Sequence, residues 1–408
     1  MKKIFKHLHT EKIVIRIFNI SITIPVVQLK PLIIIEKGII QPSFNKTKHT
    51  SFLRADIFSA GVLTSTGLPI RQSKAIINER DIVRPYRINI SKTEIKYIDA
   101  DAIYFCIPQN HFGHVLTGTM ASAYILLNGD YSNHKIVFVD KQPCEAIKIL
   151  LKHLGAKEEN IITINEYTQF KSVAVVKQSL RLLCLTPTWF SKRAFVINEK
   201  FIDTFRAISE KFNSDVRSPS KVYFSRSKLT VHAVIGEERI EKVFKENGYE
   251  IFYPEQLPLD EQIKLVANAD FYACVQGTLE HHSLFMKDGA TLIVMARHGK
   301  RKQKGNVIWT ERQVAINKLQ KHIKHINLRT NIQPIARKGM PLIIGATKDL
   351  IRFFDKNKFI YDAEELKPTY EDLRIYINKC FSEKTERCFK HLRKRLLIHH
   401  KDFWKHIK

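Results

Sequence analysis

From Asp101 onward the chain alternates short apolar runs with stretches of helical period. Ala102–Ile107 (AIYFCI) reads as a strand, and Phe112–Leu127 behind it as a helix. Lys135–Asp140 (KIVFVD) is almost continuously apolar, as expected of a parallel strand covered on both faces. Pro143 then opens a helix and Gly155 closes it, the usual asymmetry of helix ends. Ile161–Ile164 and Val173–Val176 predict the next strands. Earlier in the chain, Ile17 to Leu29 alternates polar and β-branched residues around Pro25 and also predicts strands.

A second alternation begins at Lys221. Val222–Ser225 predicts a strand. Gly236–Asn247 predicts a helix with Ile240, Val243 and Phe244 on one face and Gly248 at its end. Tyr249–Tyr253, Asp270–Val275 and Ala290–Ala296 predict strands, with helices over Pro258–Ala269 and Thr278–Met286 between them. Strands alternating with helices of this length imply parallel sheets joined by right-handed crossovers. The fold class expected is α/β, with two Rossmann-like lobes built on parallel sheets. The pattern divides the chain into an N-terminal lobe over 1–200, a C-terminal lobe over 201–360 and a basic helical tail over 361–408. In such sheets ligands sit beyond the carboxyl ends of the strands, so chemistry is sought in the loops that follow them.

Charge changes the picture. The 408 residues carry 67 Lys and Arg against 40 Asp and Glu, a formal net charge of +27, which favours anionic partners. From Phe381 the basic residues gather on a helical pattern of Phe389, Leu392, Leu396, Phe403 and Ile407, which suits an anionic membrane surface or packing back on the fold. No run reaches the ~18 apolar residues of a spanning helix, and no cleavage-site pattern follows the first residues. The expected location is cytoplasmic, peripheral on the inner face of the plasma membrane. No helix-turn-helix, RNP or zinc pattern supports a specific nucleic-acid partner. The six cysteines show no CxxC spacing and read as buried thiols.

Three constellations carry candidate chemistry. Ser225, Arg226 and Lys228 follow the strand KVYF, where an Arg fork and a Lys point charge suit phosphate oxygens, although a merely basic loop would look the same. Gln276-Gly277-Thr278 turns a strand into a helix whose free N–H groups and dipole favour an anion, with an ordinary capped helix as the alternative. His281 and His282 lie about 100° apart on a helix and do not chelate one ion, so one of them, His281, is read as a phosphate donor and no metal site is expected. In the first lobe, Asn110-His111-Phe112-Gly113-His114 follows AIYFCI. A histidine there can accept a hydroxyl proton near neutral pH, or simply cap and pack the helix.

The order of Phe112-Gly113-His114-Val115-Leu116, Tyr223-Phe224-Ser225-Arg226, Glu237-Glu238, Gly248-Tyr249, Pro254-Glu255-Gln256-Leu257, Glu261-Gln262-Ile263, Gly277-Thr278 and Leu284-Phe285 resembles glycosyltransferase family 61 over roughly Asp101 to Arg297. The resemblance implies a capsule or lipopolysaccharide assembly enzyme that transfers a sugar from a nucleotide-sugar donor to a glycan or lipid-linked glycan. It implies a two-lobed GT-B-like architecture and an inverting, metal-independent reaction with no cofactor. Ser225, Arg226, Lys228, Gly277, Thr278 and His281 become donor-site candidates, His114 the catalytic base, and Asn110 and His111 acceptor-side candidates. His111 and then Glu280 follow His114 as candidate bases. The chain departs from the family where an Arg-and-Asn segment would stand, at Ala233-Val234-Ile235-Gly236-Glu237, and at Gln276 in place of a histidine. Pyruvyl or phosphosugar transfer is the alternative enzymatic reading, and polyanion binding without catalysis the remaining one.

Overall fold

The computed structural model describes residues 9–17, 20–28, 32–43, 46–48, 56–77, 81–184, 193–213, 218–229, 234–297, 311–332 and 342–382. The basic tail pattern from 383 onward lies outside them. The chain forms two compact units, Met1–Ile208 and Ser209–Lys408.

In the first unit four parallel strands, β1 (Lys96–Cys106), β2 (Lys135–Val139), β3 (Ile161–Ile164) and β4 (Thr168–Val176), lie in the order β3-β2-β1-β4. Between them run α1 (Phe112–Thr117) and α2 (Glu145–His153). The last four residues of β2 are buried, as a strand covered on both faces requires. Beyond β4 the sheet turns antiparallel, through Leu32–Glu36, Ile39–Gln41 and Gly61–Leu63. The parallel half matches expectation; the antiparallel extension was not anticipated. Within Ile17–Leu29, where strands are expected, one strand forms, Ile20–Gln28, paired antiparallel with His9–Ile17 before it. Pro25 is tolerated because its strand is at the sheet edge, where a missing N–H breaks no ladder.

The expected helix over Phe112–Leu127 is divided. α1 stops at Gly118, and Thr119–Asn128 continues as a 3₁₀ helix. A side chain at Gly118 would stand 2.7 Å from Gln109 Nε2, so the chain turns where glycine alone lets the Gln109 loop approach. Thr119 Oγ1 accepts the Gln109 N–H at 3.1 Å and fastens the two segments. Thr119 to Leu126 are all buried, so no amphipathic stripe favours a longer α-helix.

At the boundary in sequence lies α3 (Lys200–Ser209). The second unit has a wholly parallel sheet of β5 (Lys221–Phe224), β6 (Glu250–Phe252), β7 (Phe271–Val275), β8 (Thr291–Ala296) and β9 (Lys324–Arg329), in the order β6-β5-β7-β8-β9. α4 (Glu237–Glu246), α5 (Leu259–Asn268) and α6 (Glu311–Leu319) connect its strands, and α7 (Lys348–Lys356) and α8 (Tyr370–Ser382) follow. One face of the sheet packs Tyr223, Val275, Ile293 and Met295 against Val243, Phe244 and Phe354. All six residues of β8 are buried. Thr278–Phe285, expected as an α-helix, is instead a 3₁₀ turn in which Leu279 to Phe285 are all buried.

α8 is fastened to α4 by charge. Thr369 and Asp372 form a capping box, with the Thr369 N–H donating to Asp372 Oδ2 at 2.6 Å and the Asp372 N–H to Thr369 Oγ1 at 3.1 Å. The same Oδ2 lies 2.7 Å from Arg239 Nη1, and the two side chains are only 21% and 13% exposed. Removing one partner of a buried pair leaves the other charge uncompensated. Asp372→Ala is therefore expected to lower unfolding free energy by about 3 kcal/mol or more, read from the urea midpoint at unchanged slope. An unchanged midpoint would show the pair to be solvated.

Candidate functional site

Counted along the chain, the second unit's sheet has order 2-1-3-4-5, which reverses direction between its first and third strands. Open α/β sheets bind ligands beyond the carboxyl ends of the strands at such a switch point. In this unit the switch lies between β5 and β7. Arg226 stands two residues beyond β5, Gly277 two beyond β7, and Arg297 directly after β8.

These three residues meet. A side-chain carbon placed on Gly277 would lie 2.7 Å from Arg297 Nη2 and 3.2 Å from Arg226 Nη1. Two guanidinium groups thus converge over one glycine. Its backbone (φ 138°, ψ −144°) lies where side-chain-bearing residues are strained. Gly277 also opens the turn Thr278–Phe285, whose first residues receive no side-chain cap. Backbone donors at such an opening favour an anion. Burial holds both arginines below their usual range, Arg297 to about 10, where the neighbouring Arg226 charge adds to the effect.

Beneath them lies Glu237, the first residue of α4 and fully buried. Its Oε1 accepts the Arg226 backbone N–H at 3.0 Å and the Tyr223 hydroxyl at 3.4 Å. Burial pushes its carboxyl group up to about 8, against the opposing influence of Arg226.

The other donor-site candidates lie around this framework. Ser225 is buried and donates its hydroxyl to Glu241 Oε2 at 2.7 Å, alongside Ser227 at 2.9 Å, while the Tyr253 hydroxyl donates to Glu241 Oε1 at 2.6 Å. These bonds clamp the β5 loop to α4. Lys228 is exposed, with its ammonium 5.5 Å from the centre of the Tyr253 ring. Thr278 is half-buried at the start of the turn. His281 is buried and its Nδ1 donates to Gln313 Oε1 at 2.8 Å. That assignment follows because the Gln313 amide donates to Ser283 and Asn317. His282 bonds Gln262 Oε1 at 2.9 Å and packs edge-on against Phe224. Burial drives it down to about 3, so it is a neutral core histidine. Glu280 is also fully buried within the turn.

In the first unit Asn110, His111 and His114 do follow a parallel strand. Asn110 accepts the Cys144 N–H at 3.1 Å and donates to the Gln142 carbonyl at 3.1 Å, tying the loop after β1 to that after β2. His111 is the exposed N-cap of α1, without a side-chain cap bond. Its ring meets the half-buried His114 ring edge-on at 5.3 Å. Two residues with side chains adopt left-handed backbone beside them, Cys106 ending β1 (φ 68°) and Asp140 just after β2 (φ 65°). Among the described residues no group of three His, Cys, Asp or Glu side chains could hold a metal ion, and no helix is long and apolar enough to cross a membrane.

Sequence reasoning missed Arg297 and gave Glu237 no role. The signal for Arg297 was present, since it follows the apolar run TLIVMA at a strand's carboxyl end. Glu237 was visible only as one of two helix-opening acids.

Comparison with known families defines the class of this α/β protein: it is an enzyme, a glycosyltransferase. The matching family is Glycosyltransferase 61, over residues 112–294, from the start of α1 to within β8. That span includes His114, Arg226, Glu237 and Gly277 and ends three residues before Arg297. No curated protein shows significant sequence similarity to the chain.

Gly277→Ala is expected to destabilise the second unit by about 1–3 kcal/mol through backbone strain, with displacement of Arg297 in addition. Chemical denaturation measures the first and a crystal structure of the variant the second. An alanine accommodated with both arginines unmoved would remove the close approach from the argument.

Proposed function

We propose that the chain transfers a sugar from a nucleoside-diphosphate donor to a growing surface glycan, capsular or lipopolysaccharide, with inversion and without a divalent metal. The observation that carries this reading is the convergence of Arg226 and Arg297 over Gly277 at the switch point of a parallel sheet. Glycosyl transfer builds negative charge on the departing diphosphate. Two guanidinium forks and an uncapped turn supply fixed positive charge where it develops, the role a metal plays in other transferases. In this reading the first unit is the acceptor side and the second the donor side of a GT-B-like enzyme. The basic tail and the net charge of +27 favour work at an anionic membrane surface on the cytoplasmic side.

His114 is the base in this reading. It takes the acceptor hydroxyl proton as the oxygen attacks the anomeric carbon, and the bond to the diphosphate breaks on the opposite face, inverting the configuration. Asn110 fixes the loop that presents it, and His111 braces its ring.

Arg226→Ala and Arg297→Ala should each weaken binding of the preferred nucleoside diphosphate by roughly 1.5–3 kcal/mol, measured calorimetrically with UDP and GDP in excess chelator, with CMP as a monophosphate control. Retained affinity in both variants, or binding that strictly requires added manganese or magnesium, would sink the arginine site.

His114→Ala should cut turnover by about two to four orders of magnitude while leaving nucleotide affinity close to wild type. Normal turnover would make His114 structural.

A further inference from the structure

Glu237 is a carboxylate that the donor-site reading leaves without a task, although it holds the Arg226 backbone N–H and interacts electrostatically with both arginines. It has no access to solvent. One oxygen holds the Arg226 N–H and the Tyr223 hydroxyl, and the other, Oε2, has no hydrogen-bond partner. When the carboxyl group is ionised, the Arg226 N–H and the nearby guanidinium groups favour its charge, and those guanidinium groups are the ones assigned to the diphosphate. An arriving anion competes for the same positive charge.

We infer that Glu237 is a positioning residue that acts through Arg226, and that its carboxyl group takes up a proton as the donor diphosphate binds. The proposal rests on the arginine-pair reading of the site. The protonated acid still accepts the Arg226 N–H through its carbonyl oxygen, so the loop keeps its place while the ionic claim on the guanidinium is released. The proton comes from solvent and no covalent bond changes.

The groups facing Glu237 come from every element around it. They are Tyr223 on β5, Arg226 on the following loop, Cys274 on β7, Arg297 after β8, and Glu238 and Glu241 on its own helix. Tyr223 and Cys274 are buried, and burial pushes both upward, so neither ionises near neutral pH. The other two acids favour the neutral form of Glu237, and the arginines favour the charged form. With the free carboxyl group titrating at about 8, an added anion moves it higher. Binding therefore draws in a proton, affinity is full below pH 8, and it falls as the pH rises through that value.

The experiment is calorimetric titration of UDP and GDP into the full chain between about pH 7 and pH 8.5, in buffers of different ionisation heat. Wild type should lose roughly fourfold in affinity across that range, with buffer-dependent heats that report proton uptake. Glu237→Gln keeps an acceptor for Arg226 and cannot ionise. It should bind within about threefold of wild type at pH 7 and show neither the decline nor the uptake. Glu237→Ala should bind more weakly at every pH.

A glutamine variant that retains the wild-type decline, or wild-type binding that takes up no proton at pH 8, overturns the inference while leaving the arginine site standing. Nucleotide binding that ignores Arg226→Ala and Arg297→Ala overturns both. Should the alanine variant fail to fold, the glutamine comparison still decides.

Discussion

Two guanidinium groups brought within reach of one glycine α-carbon are the constraint around which the second unit is organised. Each has a nitrogen about 3 Å from the point where a side chain would begin, so these nitrogens lie within about 6 Å of each other. Two like charges at that distance repel by about 3 kcal/mol at an effective dielectric constant of 20, and both are largely withdrawn from water. Such an arrangement persists only where the framework imposes it and something offsets the charge. The sheet order imposes it, because β5, β7 and β8 are neighbours and all three point their carboxyl ends the same way. The buried Glu280 favours the charge on Arg297, and Glu237 does so for both arginines once it ionises, above about pH 8.

The polar residues that surround this pair do structural work of a particular kind. Ser225, Ser227 and Tyr253 all bond Glu241, which fixes the loop carrying Arg226 to α4. Arg239 on the same helix is held by Asp372 of α8. His281 and His282 anchor the turn behind Gly277 to α6 and α5, through Gln313 and Gln262. A 3₁₀ turn with seven consecutive buried residues, four of them polar, is tolerable only if those side chains find partners. The adjacent histidines look like chemistry in the sequence. In the fold they are the means by which a polar segment is buried.

Much of the second unit was legible because its parallel strands are buried on both faces and announce themselves as apolar runs. Glycines at 236 and 248 mark where α4 begins and ends. The first unit was legible in its parallel half and in the strand at Ile20–Gln28. The antiparallel strands that extend its parallel sheet are three to five residues long, such as Ile39–Gln41 and Gly61–Leu63, and pairing across more than a hundred positions of sequence, as between Ile40 and Thr168, leaves no local period. The 3₁₀ segments escaped for a related reason. Their α-helical reading depends on a stripe of apolar residues, and neither segment has a solvent face against which a stripe could be defined.

The candidate site follows the same division. Arg226 and Gly277 each stood beside a recognisable local motif, and the fold brings them together as a strand-end argument expects. Arg297 had no motif, and its importance is wholly a matter of which strands are neighbours. Had β8 been placed at the far edge of the sheet, the same Ala296-Arg297 sequence would end in a basic loop without consequence. Strand order is set by long-range packing of Tyr223, Ala273 and Ile293 on one continuous apolar face, which no window of sequence contains. Glu237 carries this further. A glutamate that opens a helix is ordinarily a solvated partner of the helix dipole. Here the dipole favours the charged carboxylate, as Arg226 does, and burial outweighs both and holds the proton on to about pH 8. What makes Glu237 unusual is therefore the closed floor beneath the arginines, a property of the assembled site and of no residue in it alone.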